Sequence, residues 1–142
     1  MREINFEASR LARRAADEVT AANREKDGRW RLVAGAIGPT TRAASISPKV
    51  EDPGFRNVTY MELKDSYKEQ LHALVDGGCH VVFIETIFDT LNARAAIYAY
   101  QEFYEEDPRP PLPLVVSTST LTKLDLWNSD RHGRKNTFWT EH

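Results

Sequence analysis

Val81-Val82-Phe83-Ile84 runs without interruption into Glu85, and a short stretch, Thr86-Ile87-Phe88-Asp89-Thr90-Leu91-Asn92, separates that carboxylate from a helical pattern. Approached through Gly77-Gly78, an apolar run of this kind predicts a strand covered on both faces, as in a parallel α/β sheet. Glu85 then stands at the strand's carboxyl end, where α/β folds bind ligands because the loops vary over a rigid base. A carboxylate there can hold a cation, but it can equally cap the next helix or pair with a neighbouring side chain. Taken alone, Glu85 favours that structural role, and Asp89 and Asn92 fit helix-start positions better than ligand contacts. A second turn, Gly38-Pro39-Thr40-Thr41, follows another apolar run, Arg31 to Ile37. Gly35, Gly38 and Pro39 are expected to shape that turn, with backbone contact to a ligand as the functional alternative.

Metal chemistry has little support in the spacing. His72 falls in a helical pattern while Cys79 and His80 stand at a strand start, which is no recognised zinc arrangement. Cys79 is the single cysteine in the chain and reads as a packed core thiol.

The elements that must position these groups fit one domain of 142 residues with a real core. A charged fraction of 28% with a net charge of -2 supplies no basic stripe and no acidic block, so no nucleic acid or membrane partner is expected. No apolar run reaches transmembrane length, and Met1-Arg2-Glu3-Ile4-Asn5 does not open a signal peptide. One cysteine excludes an internal disulfide framework and suits a reducing compartment, so a cytoplasmic location is expected.

Asn5 can cap a first helix in which Leu11, Ala15, Val19 and Ala22 share one face and Asp27-Gly28 ends the run. Residues 41 to 58 have no sustained period and read as a long loop, a feature that tends to be functional or mobile. Thr59-Tyr60-Met61-Glu62 has capping-box spacing and announces a helix with Leu63, Tyr67, Leu71 and Leu74 on its buried stripe. Asp89 or Thr90 can cap a third helix burying Ala93, Ile97, Tyr100 and Tyr104, which Asp107-Pro108 breaks; Leu112 to Val116 supplies the last strand. The order helix, strand, helix, strand, helix, strand implies parallel strands with right-handed crossovers. Three strands cannot close a barrel, and periodicity alone leaves open a slice of one or the middle of a doubly wound sheet.

Gly35-Ala36-Ile37-Gly38-Pro39-Thr40, Ser45-Ile46-Ser47-Pro48, Asp52-Pro53-Gly54-Phe55-Arg56, Asp76-Gly77-Gly78 and Ile84 to Ala93 resemble, in order, successive motifs of the homocysteine-binding barrel of cobalamin-dependent methionine synthase. The resemblance covers roughly residues 4 to 117 and implies an α/β fold, a partial (β/α)₈ TIM barrel with about three parallel strands and its barrel not closed. It also implies a parent reaction: methyl transfer to the sulfur of homocysteine, held as a thiolate on zinc, with cobalamin bound by another part of the full-length enzyme. Glu85 resembles the family's acidic residue for the substrate ammonium, and Gly38 and Thr40 join it as candidate substrate-binding residues. In this light the functional reading of Glu85 outweighs the structural one.

The ends depart from the family pattern. The family's first strands, with their Asp-Gly-rich turn, and its later strands, which carry the zinc thiolates, have no counterpart. The expected division is therefore a partial homocysteine-binding barrel over 1–117 and a non-homologous tail over 118–142 with the composition of a disordered segment. Back-translated with suitable synonymous codons and read one nucleotide later, Leu126 to Glu141 can yield a family-like loop, which suggests a frameshift or retained intron that transcript sequencing would test. Neither zinc nor cobalamin is expected to bind this chain alone, and the isolated chain is expected to be inactive. A non-catalytic α/β binding module, or an interaction fragment that pairs through open sheet edges, is the alternative.

Overall fold

The computed structural model describes residues 1–118; of the tail expected over 118–142, all but the backbone of Thr118 lies outside the described residues. Six elements follow one another: α1 (Arg2–Asp27), β1 (Ala34–Ile37), α2 (Tyr60–Asp76), β2 (Val81–Ile87), α3 (Thr90–Glu106) and β3 (Leu114–Thr118). The strands form one sheet in the order β1-β2-β3, and β2 pairs parallel with both neighbours. The sheet is unclosed, and the fold is α/β, a run of β/α units as the element order predicts.

Strand alternation decides which side of the sheet carries the core. Gly35 and Ile37 of β1 and Val82 and Ile84 of β2 are buried against the helices. There they meet Leu63, Tyr67, Leu71 and Leu74 of α2 and Ala96, Ala99 and Phe103 of α3, all buried. Ala36, Phe83 and Val115 lie side by side in register on the other face. This second face is exposed or half-buried, with Val115 45% exposed. The expectation that β2 is covered on both faces is therefore corrected: among the described residues, helices pack on one face only.

The two capping signals act as their spacing predicts. The Thr59 hydroxyl accepts the Glu62 N–H while the Glu62 carboxylate accepts the Thr59 N–H, satisfying two donors at the start of α2. Asp89 caps α3 by accepting the Leu91 and Asn92 N–H groups. Near the end of α3 the fully buried row is Ala96, Ala99 and Phe103, while Ile97, Tyr100 and Tyr104 pack half-buried at its margin.

Helix α1 departs most from expectation. It begins at Arg2, and Asn5 lies inside it with its side-chain amide donating to the Met1 carbonyl at 3.1 Å. The apolar stripe is not the packed face: Leu11 is 58% and Val19 46% exposed. The packed row is Ser9, Arg13 and Ala16: at Ser9 the helix comes so close to the end of α2 that only a small side chain fits, and one turn on the Arg13 guanidinium donates to the Gly78 carbonyl. The Ser9 hydroxyl donates to the Leu74 carbonyl at 2.8 Å. A Cβ on Gly77 would stand 2.6 Å from the Phe6 carbonyl oxygen.

Two strands are also shorter than the apolar runs that announce them. The Val33 N–H donates to His80 Nδ1 and not to a neighbouring strand, so β1 begins at Ala34. Pro111 and Pro113 have no N–H to donate, and β3 begins at Leu114. Gly35 lies within β1, where a Cβ would sit 3.0 Å from Cys79 Sγ and 3.2 Å from Leu74 Cβ. Close packing, and not the following turn, requires glycine there. No described helix is long and apolar enough to cross a membrane.

Candidate functional site

Glu85 lies where β2 breaks its own alternation. Ile84 pairs with Val116 and Ile87 with Thr118, so Glu85 and Thr86 together oppose Ser117 in a β-bulge. Thr86 adopts φ 54, the left-handed region, and its N–H donates to the Ser117 hydroxyl oxygen at 3.1 Å. Plain alternation would bury Thr86 and expose Ile87; the extra residue instead exposes Thr86 and leaves Ile87 2% exposed in the core. The strand consequently runs to Ile87 and not to Glu85.

Glu85 is half-buried, and by alternation it follows Val81 and Phe83 onto the face away from the helices. Its carboxylate makes no hydrogen bond or ion pair with any described residue. The structural role that Glu85 alone suggested, capping the next helix, belongs to Asp89.

Gly38 directly follows β1, whose last residue, Ile37, registers with Ile84, so Gly38 comes level with Glu85 at the same end of the sheet. A Cβ on Gly38 would meet nothing within 4 Å. Thr40 is turned inward to its own loop: its hydroxyl donates to the Arg42 carbonyl at 2.5 Å and accepts the Arg42 N–H at 3.2 Å. The long loop after β1 thus starts beside Glu85, as the candidate set requires, but the Thr40 hydroxyl already has partners.

That loop is tied to the start of α3. One Asp89 carboxylate oxygen accepts the Ser45 N–H at 2.9 Å and the Ser45 hydroxyl at 2.7 Å, while the other caps the helix. Burial is the largest single influence on this carboxyl and raises its pKa. The Ser45 hydroxyl and the Ser45, Asn92 and Leu91 N–H groups together outweigh it, so the pKa is lowered. Asn92, 1% exposed, accepts the Ala44 N–H at 3.0 Å and donates to the Arg42 carbonyl at 2.9 Å and the Thr40 hydroxyl oxygen at 3.4 Å. Tyr67 completes the junction from α2. Burial raises the pKa of its hydroxyl and nearby Asn92 and Thr40 lower it, although neither makes a hydrogen bond of good geometry with it.

The remaining chemistry-bearing groups are engaged elsewhere. The His72 ring stands edge-on to Phe103 at 4.5 Å, and His80 Nδ1 accepts the Val33 N–H at 2.9 Å. Cys79 is buried, and burial pushes its thiol pKa up, away from the thiolate that zinc requires. Among the described residues no three His, Cys, Asp or Glu side chains converge as a metal site would need, so these residues do not fit zinc.

Sequence reasoning missed three of these features. Thr86 carries no glycine or asparagine signal for a left-handed residue, and Ser117 had no assigned partner. For Asn92 a signal did exist: asparagine is a weak helix former, and at the third helical position of an already capped helix it invites a tertiary explanation. The family model for homocysteine S-methyltransferase matches residues 1–135 of the chain.

Proposed function

From a chain that belongs to the homocysteine S-methyltransferase family, we propose a piece of a methionine synthase-type barrel that retains the amino acid end of the homocysteine pocket. The observation that carries this reading is the Glu85 carboxylate at the carboxyl edge of a parallel sheet, level with Gly38 and, among the described residues, without a hydrogen-bond or ion-pair partner and on the face that no helix covers. In this reading Glu85 receives the substrate ammonium, and the backbone at Gly38 accommodates its close approach. Thr40 contributes by shaping the loop, since its hydroxyl is already bonded within it.

The parent chemistry forms a bond from homocysteine sulfur to a methyl carbon and breaks the bond from that carbon to its carrier, with the thiol proton lost beforehand. A free thiol has a pKa near ~8.5 and is mostly protonated at neutral pH, so the reaction needs a group that holds the thiolate. The whole chain contains one cysteine, and it is buried. What Glu85 and its surroundings supply is orientation: they fix one end of the substrate. The isolated chain is therefore proposed to bind homocysteine without turning it over.

Calorimetry of homocysteine with the 142-residue chain tests this reading. Removing the charge in Glu85→Gln deletes a charge-assisted interaction of about 1.5–3 kcal/mol, an affinity loss of roughly 10- to 100-fold. Equal affinity in the variant, or no saturable binding by the unaltered chain, would remove Glu85 from the pocket. Methyl transfer by the purified chain with zinc supplied would contradict the proposed inactivity.

A further inference from the structure

We propose that Asp89 and Asn92 are positioning residues that hold the 40–45 segment against the start of α3, keeping the loop that begins at Gly38 beside Glu85. This rests on the reading that Glu85 receives homocysteine. Capping alone would explain one Asp89 oxygen, which accepts the Leu91 and Asn92 N–H groups. It explains neither the second oxygen, spent wholly on Ser45, nor the burial of Asn92. Both ends of the Asn92 amide are used, and every side-chain partner lies in the loop: Ala44, Arg42 and Thr40.

The loop needs such a clasp. Between Ile37 and Thr59 it contains no regular element, and its buried apolar anchors are Ala44 and Val58, at 8% and 9% exposure. Ordering a backbone residue costs on the order of 1–2 kcal/mol, and two small anchors recover little of that over so long a segment. The Asp89 and Asn92 bonds hold its first part, residues 40 to 45, from a helix whose first turn follows directly on β2. Residues 85 and 89 lie on one continuous stretch, so strand end, helix start and loop are fixed as a unit. Releasing the clasp frees Gly38 to Ser45 while leaving the β2 core residues Val82 and Ile84 in place.

Hydrogen exchange and homocysteine calorimetry on the full chain separate the two parts of the claim. In Asn92→Ala the Ala44 and Ser45 amides should lose protection by about tenfold or more while Val82 and Ile84 keep theirs. The homocysteine dissociation constant should rise at least severalfold. Ser45→Ala alters only an exposed loop residue and should reproduce a smaller version of both effects, which guards against a failure of Asn92→Ala to fold. Unchanged exchange at Ala44 and Ser45, or a parallel loss at Val82 and Ile84, would overturn the clasp. A loosened loop with unchanged affinity would overturn its positioning role. Absence of homocysteine binding in the unaltered chain, with exchange behaving as expected, would instead sink the pocket and the positioning role with it.

Discussion

Gly77→Ala tests whether α1 is seated by steric fit or merely lies on the surface. Gly77 has φ -73 and ψ -10, an ordinary helical conformation that alanine adopts without strain. Judged by backbone alone, the substitution should stabilise the protein by about 0.4–1 kcal/mol through a less flexible unfolded chain. The surroundings reverse the sign. A Cβ there would lie 2.6 Å from the Phe6 carbonyl oxygen, 2.6 Å from Ser9 Cβ and 3.0 Å from Ser9 Oγ. Relieving those contacts requires α1 to move, at an overpacking cost of about 1–3 kcal/mol. The movement also stretches the buried Ser9-to-Leu74 hydrogen bond, for a further ~0.5–1.5 kcal/mol.

The net expectation is a loss of about 2 kcal/mol, or a melting temperature lower by roughly 5–10 °C in a domain of this size. Thermal unfolding followed by circular dichroism reads it directly. Gly38→Ala is the control: with nothing within 4 Å of the new methyl, its stability should stay within about 0.5 kcal/mol of the unaltered chain. If Gly77→Ala matches or exceeds the unaltered chain, the close seat of α1 on α2 is wrong.

Two further outcomes follow from local geometry. Thr86 is a β-branched residue in the left-handed region, which costs about 1–2 kcal/mol, so Thr86→Gly should raise the melting temperature by a few degrees after glycine's own entropy is subtracted; a lower value would show that the bulge is unstrained. Asp107 is held down to about 2, first by the Arg109 guanidinium and then by the Arg109 N–H, and Glu62, Asp27, Glu102 and Asp89 are also lowered. Folded carboxyls of this kind bind protons less readily than unfolded ones, so their stabilisation is complete above the unfolded values near ~4 and is lost as pH falls through the folded ones. The urea midpoint should drop between about pH 5 and pH 2, less steeply in Arg109→Met; equal slopes would exclude the Asp107–Arg109 pair as a source.

Short-range chemistry was legible and long-range fit was not. Thr59 and Glu62 signalled the start of α2 because both partners of the capping box lie within one turn, and Asp89 did the same for α3. Parallel pairing followed from strands separated by helices. The packed face of α1 was misread because apolar spacing points to Leu11 and Val19, whereas the approach to Gly77 and Leu74 selects Ser9. The position of Glu85 was legible from the apolar run before it. Its presentation was not, since the left-handed turn at Thr86 depends on Ser117, 31 residues away. Asn92 likewise declares its partners only once the loop has folded back onto it.

Because Ile87 rejoins the interior only after the additional residue in β2, Glu85 and Thr86 form a two-residue island whose side chains stand outside the buried core while Ser117 holds the Thr86 N–H. Their size and charge can drift under selection for a ligand while the hydrophobic interior keeps its contents. Deleting either one would be a different event: it would swing Ile87 outward and make a change of specificity a failure of folding.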